Sequence, residues 1–95
     1  MKKHEQLNLF TKRLTSALLI AADSPRQAFY RIWIEQTVGD IKLVKESGIK
    51  GRVLDKRSWQ IESLEAAQEQ FERRIRAKTN SERKSPRKYQ LINRL

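Results

Sequence analysis

The sequence predicts a single α+β domain, a small antiparallel sheet that carries one long helix packed on one face. Its length of 95 residues suits one small domain. Apolar side chains alternate with polar ones in segments 28–36 and 41–46, as in strands. Apolar residues then recur at spacings of three and four in segment 64–78, as in a helix. We expect a flexible N-terminal segment over residues 1–13 and the domain over residues 14–95.

The first predicted strand covers residues 14–22. Propensity alone would also allow a helix there, but turn-forming residues 23–26 follow directly and a second apolar run begins after them. A strand and hairpin therefore fit better. The preceding lysines also give the segment some likeness to a signal peptide, although the apolar stretch is short for one.

The central part of the chain predicts a meander of antiparallel strands. Even-numbered Tyr30, Ile32 and Ile34 fall on one face of the second strand, while Trp33 falls on the other. Gly39 supplies the next tight turn. Segment 47–51 contains two glycines and predicts a loop whose backbone can approach a ligand, followed by a returning strand over residues 52–59.

The sequence predicts a helix after Ser63, whose hydroxyl is typical of an N-cap. Its apolar stripe consists of Leu64, Ala67, Phe71 and Ile75 and ends at Lys78. Trp59, just before the cap, is expected to pack under the helix. A basic stretch over residues 81–88 then leads to a short closing strand over residues 89–92.

In this order of features the chain resembles the WGR domain of poly(ADP-ribose) polymerases and bacterial regulators. Residues 29–32 (Phe-Tyr-Arg-Ile) resemble the aromatic strand of that family, and residues 48–51 (Gly-Ile-Lys-Gly) resemble the end of its Trp-Gly-Arg-x-Gly-x-x-Gly loop. Residues 63–67, Phe71 and residues 78–79 resemble its helix, and residues 86–89 resemble the basic entry to its last strand. The similarity covers most of residues 17–92 and implies a WGR-like domain that binds DNA.

The signature triplet of the family is absent from this chain. Counted back from Gly48, its positions are held by Val44, Lys45 and Glu46. In the family, the tryptophan and arginine of the triplet contact the DNA backbone at a strand end. The resemblance therefore implies a DNA-binding fold without that means of recognising ends, and Glu46 would repel phosphate if it pointed the same way.

The charge predicts an acidic partner. Lys and Arg number 21 against 11 Asp and Glu, which gives a net charge of +10. From Arg73 onward the chain holds nine basic residues and only Glu82 as an acid. We expect a stand-alone nucleic-acid-binding module that contacts the phosphate backbone of duplex DNA. The alternatives are an RNA-binding module, an adaptor for an acidic protein, and a solvated surface with no ligand.

The candidate nucleic-acid contacts are basic residues near the glycine loop and in the C-terminal stretch, together with one aromatic residue able to stack on a base or ribose. Burial of that aromatic residue against the N-terminal segment is the alternative. The candidates are Lys45, Lys50, Arg52, Lys56, Arg57, Lys84, Arg87, Lys88 and Trp33.

Residues suited to catalysis or metal binding are scarce in this sequence. There is no cysteine, and His4 is the one histidine, so a nucleophile paired with a base is not indicated. We expect a non-enzymatic protein without cofactor or metal. The longest apolar run, residues 17–22, is far shorter than a membrane span, so we expect no membrane contact and a cytoplasmic protein, nucleoid-associated if bacterial.

Overall fold

A computed structural model describes residues 11–21, 24–80 and 89–95. The described part confirms the α+β class, with five strands and one helix packed on the sheet. The elements in chain order are β1 (Lys12–Ile20), β2 (Ala28–Thr37), β3 (Asp40–Ile49), β4 (Arg52–Ile61), α1 (Leu64–Thr79) and β5 (Gln90–Arg94).

The sheet has the strand order β4-β3-β2-β1-β5, and every neighbouring pair is antiparallel. Strands β1 to β4 form the expected meander, each pairing with the next along the chain. After α1, β5 returns to the opposite edge and pairs with β1. The backbone of Leu95 extends this pairing, because its N–H donates to Ser16 O at 2.8 Å and its carbonyl accepts from Ser16 N at 3.2 Å.

The main core lies between the sheet and α1. The Ser63 hydroxyl accepts a hydrogen bond from Ala66 N at 3.1 Å, which confirms the predicted cap. Three residues of the predicted stripe, Ala67, Phe71 and Ile75, are buried. Leu64 lies at the margin with 38% of its surface exposed. The sheet contributes Ala17, Leu19, Ala28, Tyr30, Ile32, Ile34, Leu43 and Ile61 to the same cluster.

A second set of buried residues lies on the other side of the sheet, which we call the open face because α1 does not cover it. Phe29, Trp33 and Val44 point to this side by strand alternation, and all three are buried. The expected assignment of alternate β2 residues to opposite faces is thus confirmed. Buried residues occur on both of these faces, and not only on the face that carries Tyr30, Ile32 and Ile34.

The first and the last strand of the domain have other bounds than predicted. Strand β1 begins at Lys12, so Lys12 and Arg13 belong to the sheet and not to a flexible segment. Residues 1–10 of that segment lie outside the described part, and Thr11 directly precedes the strand. The closing strand runs over Gln90–Arg94, and Tyr89 is buried directly before it.

The two glycines of the expected loop have separate places in the structure. Gly48 lies inside β3, where a Cβ would meet Arg52 O at 1.8 Å, so the close backbone approach requires glycine. The turn itself consists of Lys50 and Gly51, with φ values of 51° and 75°. Because Ile49 pairs with Arg52, this is a two-residue hairpin turn with positive φ at both positions, as in type I′.

Among the described residues, no helix combines the length and the apolar character that crossing a bilayer requires.

Candidate nucleic-acid interface

The structure distributes the candidate basic residues over three places. Lys45 and Arg57 are paired across β3 and β4 and point to the helix side of the sheet. Lys56 points to the open face. Lys50 and Arg52 lie at the β3–β4 turn, at one end of the sheet. The predicted contacts Lys84, Arg87 and Lys88 lie outside the described residues.

The β3–β4 turn lies beside the turn that joins β1 to β2. Lys50 N donates a hydrogen bond to Gln27 O at 3.1 Å, which ties the two turns together. This contact brings Arg26 to the same end of the sheet as Lys50 and Arg52. All three are exposed, and within the described part of the chain none of them forms an ion pair. We call Arg26, Lys50 and Arg52 the tip cluster.

Arg26 did not stand out in the sequence, because it lies 24 positions before Lys50 in an ordinary turn. The expected pairing of β2 with β3 is the signal that could have identified Arg26. Ala28 pairs with Ile49, so the turn before Ala28 and the turn after Ile49 lie side by side. Pairing of antiparallel strands brings together the turns at one end of a sheet.

On the helix side, an acidic residue compensates the candidate cations. Lys45 Nζ lies 2.6 Å from Asp55 Oδ2, and Arg57 Nε lies 3.6 Å from the same oxygen. The hydrogen bond from Lys45 lowers the pKa of Asp55. The Lys45 side chain is only 16% exposed, so it is directed at Asp55 more than at solvent. Arg57, by contrast, is 66% exposed and accessible to a ligand.

Two cations of α1 extend this side of the molecule. The Arg74 guanidinium lies 4.1 Å from the centroid of the Trp59 ring, and Lys78 Nζ lies 4.7 Å from the centroid of Tyr30. Trp59 is half-buried and packs against the core, as expected from its place before the helix cap. Burial raises the pKa of Tyr30, although the nearby Arg74 acts in the opposite direction.

Of the two fates expected for Trp33, the structure shows burial, and the prediction that it could stack on a base or ribose is wrong. Its surface is only 3% exposed, and its Nε1 donates to Glu35 Oε1 at 3.0 Å. The Arg13 guanidinium lies 4.0 Å from the ring centroid, and Lys56 Nζ lies 5.8 Å from it. Arg13 can reach the indole because its strand pairs it with Glu35, two residues beyond Trp33 on β2.

Glu46, the residue in the third triplet position, lies between two cations on the open face. Its carboxylate is 3.0 Å from Arg31 Nη1 and 3.8 Å from Lys56 Nζ. This arrangement largely compensates the negative charge that was expected to repel phosphate. Val44, in the first triplet position, is buried in the open face.

No group of three or more histidine, cysteine, aspartate or glutamate residues within the described segments is arranged to hold a metal ion. A comparison of the sequence with protein-family models and with curated proteins finds no match.

Proposed function

We propose that this chain is a nucleic-acid-binding module of WGR-like fold that contacts the phosphate backbone, with duplex DNA as its preferred ligand and no catalytic activity of its own. The observation that carries the proposal is the tip cluster. Three exposed cations from two adjacent turns lie at the same end of the sheet without an acidic partner among the described residues, in a chain of net charge +10. Such a cluster is stabilised when phosphates approach it.

The expected mode of binding is independent of nucleotide sequence. Lysine and arginine side chains at turns reach phosphate oxygens, which carry no sequence information. The exposed Arg57 at the β4 edge would add a further contact on the helix side. Release of condensed counterions from DNA would supply much of the free energy of binding, so the affinity should fall steeply with added salt.

Binding is expected to be insensitive to DNA ends. The family's end contacts depend on the triplet, but here Val44 is buried and Glu46 is engaged with Arg31 and Lys56. The tip cluster can attract a phosphate anywhere along a duplex. We therefore expect affinities per site for blunt and covalently closed duplexes to agree within about threefold at equal salt.

Support for DNA over RNA comes from the resemblance to WGR domains. The same cations could contact the phosphates of double-stranded RNA, whose deep, narrow major groove makes recognition depend on shape and backbone. A direct comparison of the two duplexes must therefore accompany any test of binding.

A gel-shift panel tests the proposal with four probes at one salt concentration: blunt duplex DNA, a closed circular duplex, single-stranded DNA and double-stranded RNA. Arg52→Gln should weaken binding to the duplexes because it removes one cation of the tip cluster. Lys12→Gln removes the same charge at the opposite end of the sheet, where Lys12 pairs with Gln36, and serves as the matched control. Absence of binding to every probe, or equal loss in both variants, would contradict the proposal.

A further inference from the structure

The open face carries a cleft next to the tip cluster. It has a volume of about 370 Å³ and lies over the paired strands β1 and β2, next to the β3–β4 turn. Its lining is mostly apolar and consists of Leu18, Ile20, Gln27, Phe29, Arg31 and Gly51. A concave, mostly apolar site with a few polar groups is the usual form of a small-ligand pocket, and this volume lies within the usual range.

The mouth of the cleft is held in a constrained conformation. Gln27 and Lys50 have φ values of 55° and 51°, in the left-handed region that non-glycine residues seldom adopt. The hydrogen bond from Lys50 N to Gln27 O fixes these two residues against each other. Their side chains therefore leave the backbone in defined directions at the edge of the cleft, with the neighbouring Arg26 on the same turn.

Arg31 provides a planar group within the cleft. Its Nη1 is 3.0 Å from Glu46 Oε1, and its Cζ is 5.3 Å from the centroid of the Phe29 ring. Two neighbours thus orient the guanidinium, yet the side chain remains 39% exposed. Nucleobases stack on the planes of arginine guanidinium groups as well as on aromatic rings.

We propose that this cleft binds a single unpaired nucleobase, which stacks on Arg31 between the aliphatic side chains of Leu18 and Ile20. The phosphates on either side of that nucleotide would contact Arg26 and Lys50, whose positive charge complements them. This inference rests on the proposed function and adds to it a preference for duplexes that carry an unpaired nucleotide, while binding to fully paired duplexes through the tip cluster is kept.

A binding comparison with three hairpin DNA probes tests this proposal. The first probe ends blunt, the second carries a three-nucleotide single-stranded overhang, and the third carries the same overhang with abasic sugars, so that its phosphates remain and its bases are removed. We expect the overhang with bases to bind about tenfold more tightly than the abasic overhang, equivalent to about 1.4 kcal/mol.

Two variants test whether the preference for bases over abasic sugars arises in the cleft. Arg31→Lys keeps the charge beside Glu46 but removes the planar guanidinium, so the preference for bases over abasic sugars should disappear while binding to the blunt hairpin is kept. Leu18→Ala removes most of one of the two aliphatic side chains between which the base is proposed to lie, at a half-buried strand position, and should reduce the same preference. Circular dichroism spectra identical to that of the unmodified protein would show that both variants are folded.

Equal binding of the base-containing and abasic overhangs by the unmodified protein would overturn the proposal for the cleft and leave the phosphate-binding function standing. A preference for bases that persists in both folded variants would also overturn it. Failure to bind any of the three probes would overturn both proposals.

Discussion

Replacing Lys50 by asparagine should stabilise the fold and weaken binding to nucleic acid at the same time. Lys50 is the first central residue of the β3–β4 turn and has a φ of 51°, with Gly51 at 75° beside it. An L-residue in the left-handed region costs roughly 1–2 kcal/mol, whereas asparagine tolerates that region and Asn-Gly is the preferred pair for a type I′ turn.

Lys50→Asn should therefore recover about half of that cost, roughly 0.5–1 kcal/mol in the free energy of unfolding. For a domain of this size, 1 kcal/mol corresponds to about 4–8 °C in melting temperature, so we expect a rise of a few degrees. Because the substitution also removes one cation of the tip cluster, the slope of log affinity against log salt should become shallower by about 0.9 on duplex DNA.

Thermal unfolding followed by circular dichroism gives the first quantity, and fluorescence anisotropy with a labelled duplex gives the second. Lys50→Arg is the matched control, since it keeps both the charge and the strained backbone and should change neither quantity by much. A lower melting temperature in Lys50→Asn would refute the account of the turn. A higher melting temperature with unchanged affinity would refute the role of Lys50 in binding.

Three further substitutions test the packing and the charges. Phe71→Ala should leave a cavity between α1 and the sheet that costs about 3–5 kcal/mol, enough to leave so small a domain largely unfolded, and an unchanged melting curve would remove Phe71 from the core. Gly48→Ala should destabilise the β3–β4 hairpin because its Cβ would collide with Arg52 O, and chemical denaturation with a midpoint equal to that of the unmodified protein would contradict this reading. Asp55→Asn should lower stability at neutral pH because the ion pair with Lys45 lowers the pKa of Asp55 in the folded state. That difference is complete above the ordinary aspartate pKa of 3.8 and should vanish as the pH falls through the lowered folded value, so a difference that persists unchanged in strong acid would contradict it.

Local sequence patterns were sufficient to predict the meander and the helix. Alternation specified the faces of β2, Gly39 marked the tight turn between β2 and β3, and Ser63 marked the start of α1. Each of these signals depends on residues close together in the chain, where the periods of strand and helix are directly visible.

Features that depend on contacts between distant segments were not predictable in the same way. The sequence leaves both stacking and burial open for Trp33, and the contact with Arg13 that decides for burial follows only from the β1–β2 register. Glu72 lies four positions before Arg76 on the helix, a spacing that favours an ion pair, but its ion pair in the structure is with Arg94 of β5. Local spacing makes a pair available, and tertiary structure decides which partner is used.

The residues of the candidate interface likewise divide into those indicated by local sequence and those that depend on contacts between distant segments. Net charge and glycine spacing pointed to Lys50 and Arg52, whereas Arg26 joins them only through the pairing of β2 with β3. The charge of Lys45 and its place near the glycine loop suggested a phosphate contact, but Asp55 lies on the neighbouring strand and forms an ion pair with it. Sequence alone therefore identified the abundance of positive charge better than the positions at which that charge is free to act.

The salt dependence of binding to a covalently closed circular duplex tests the central claim most directly, because such a ligand offers phosphates without ends or unpaired bases. We expect log affinity to fall linearly with log salt for the unmodified protein. The double variant Lys50→Asn and Arg52→Gln should have a slope shallower by about 1.8, because it neutralises two fewer phosphates. An affinity that does not depend on salt, or a slope that is the same in the unmodified protein and the double variant, would contradict backbone binding through the tip cluster.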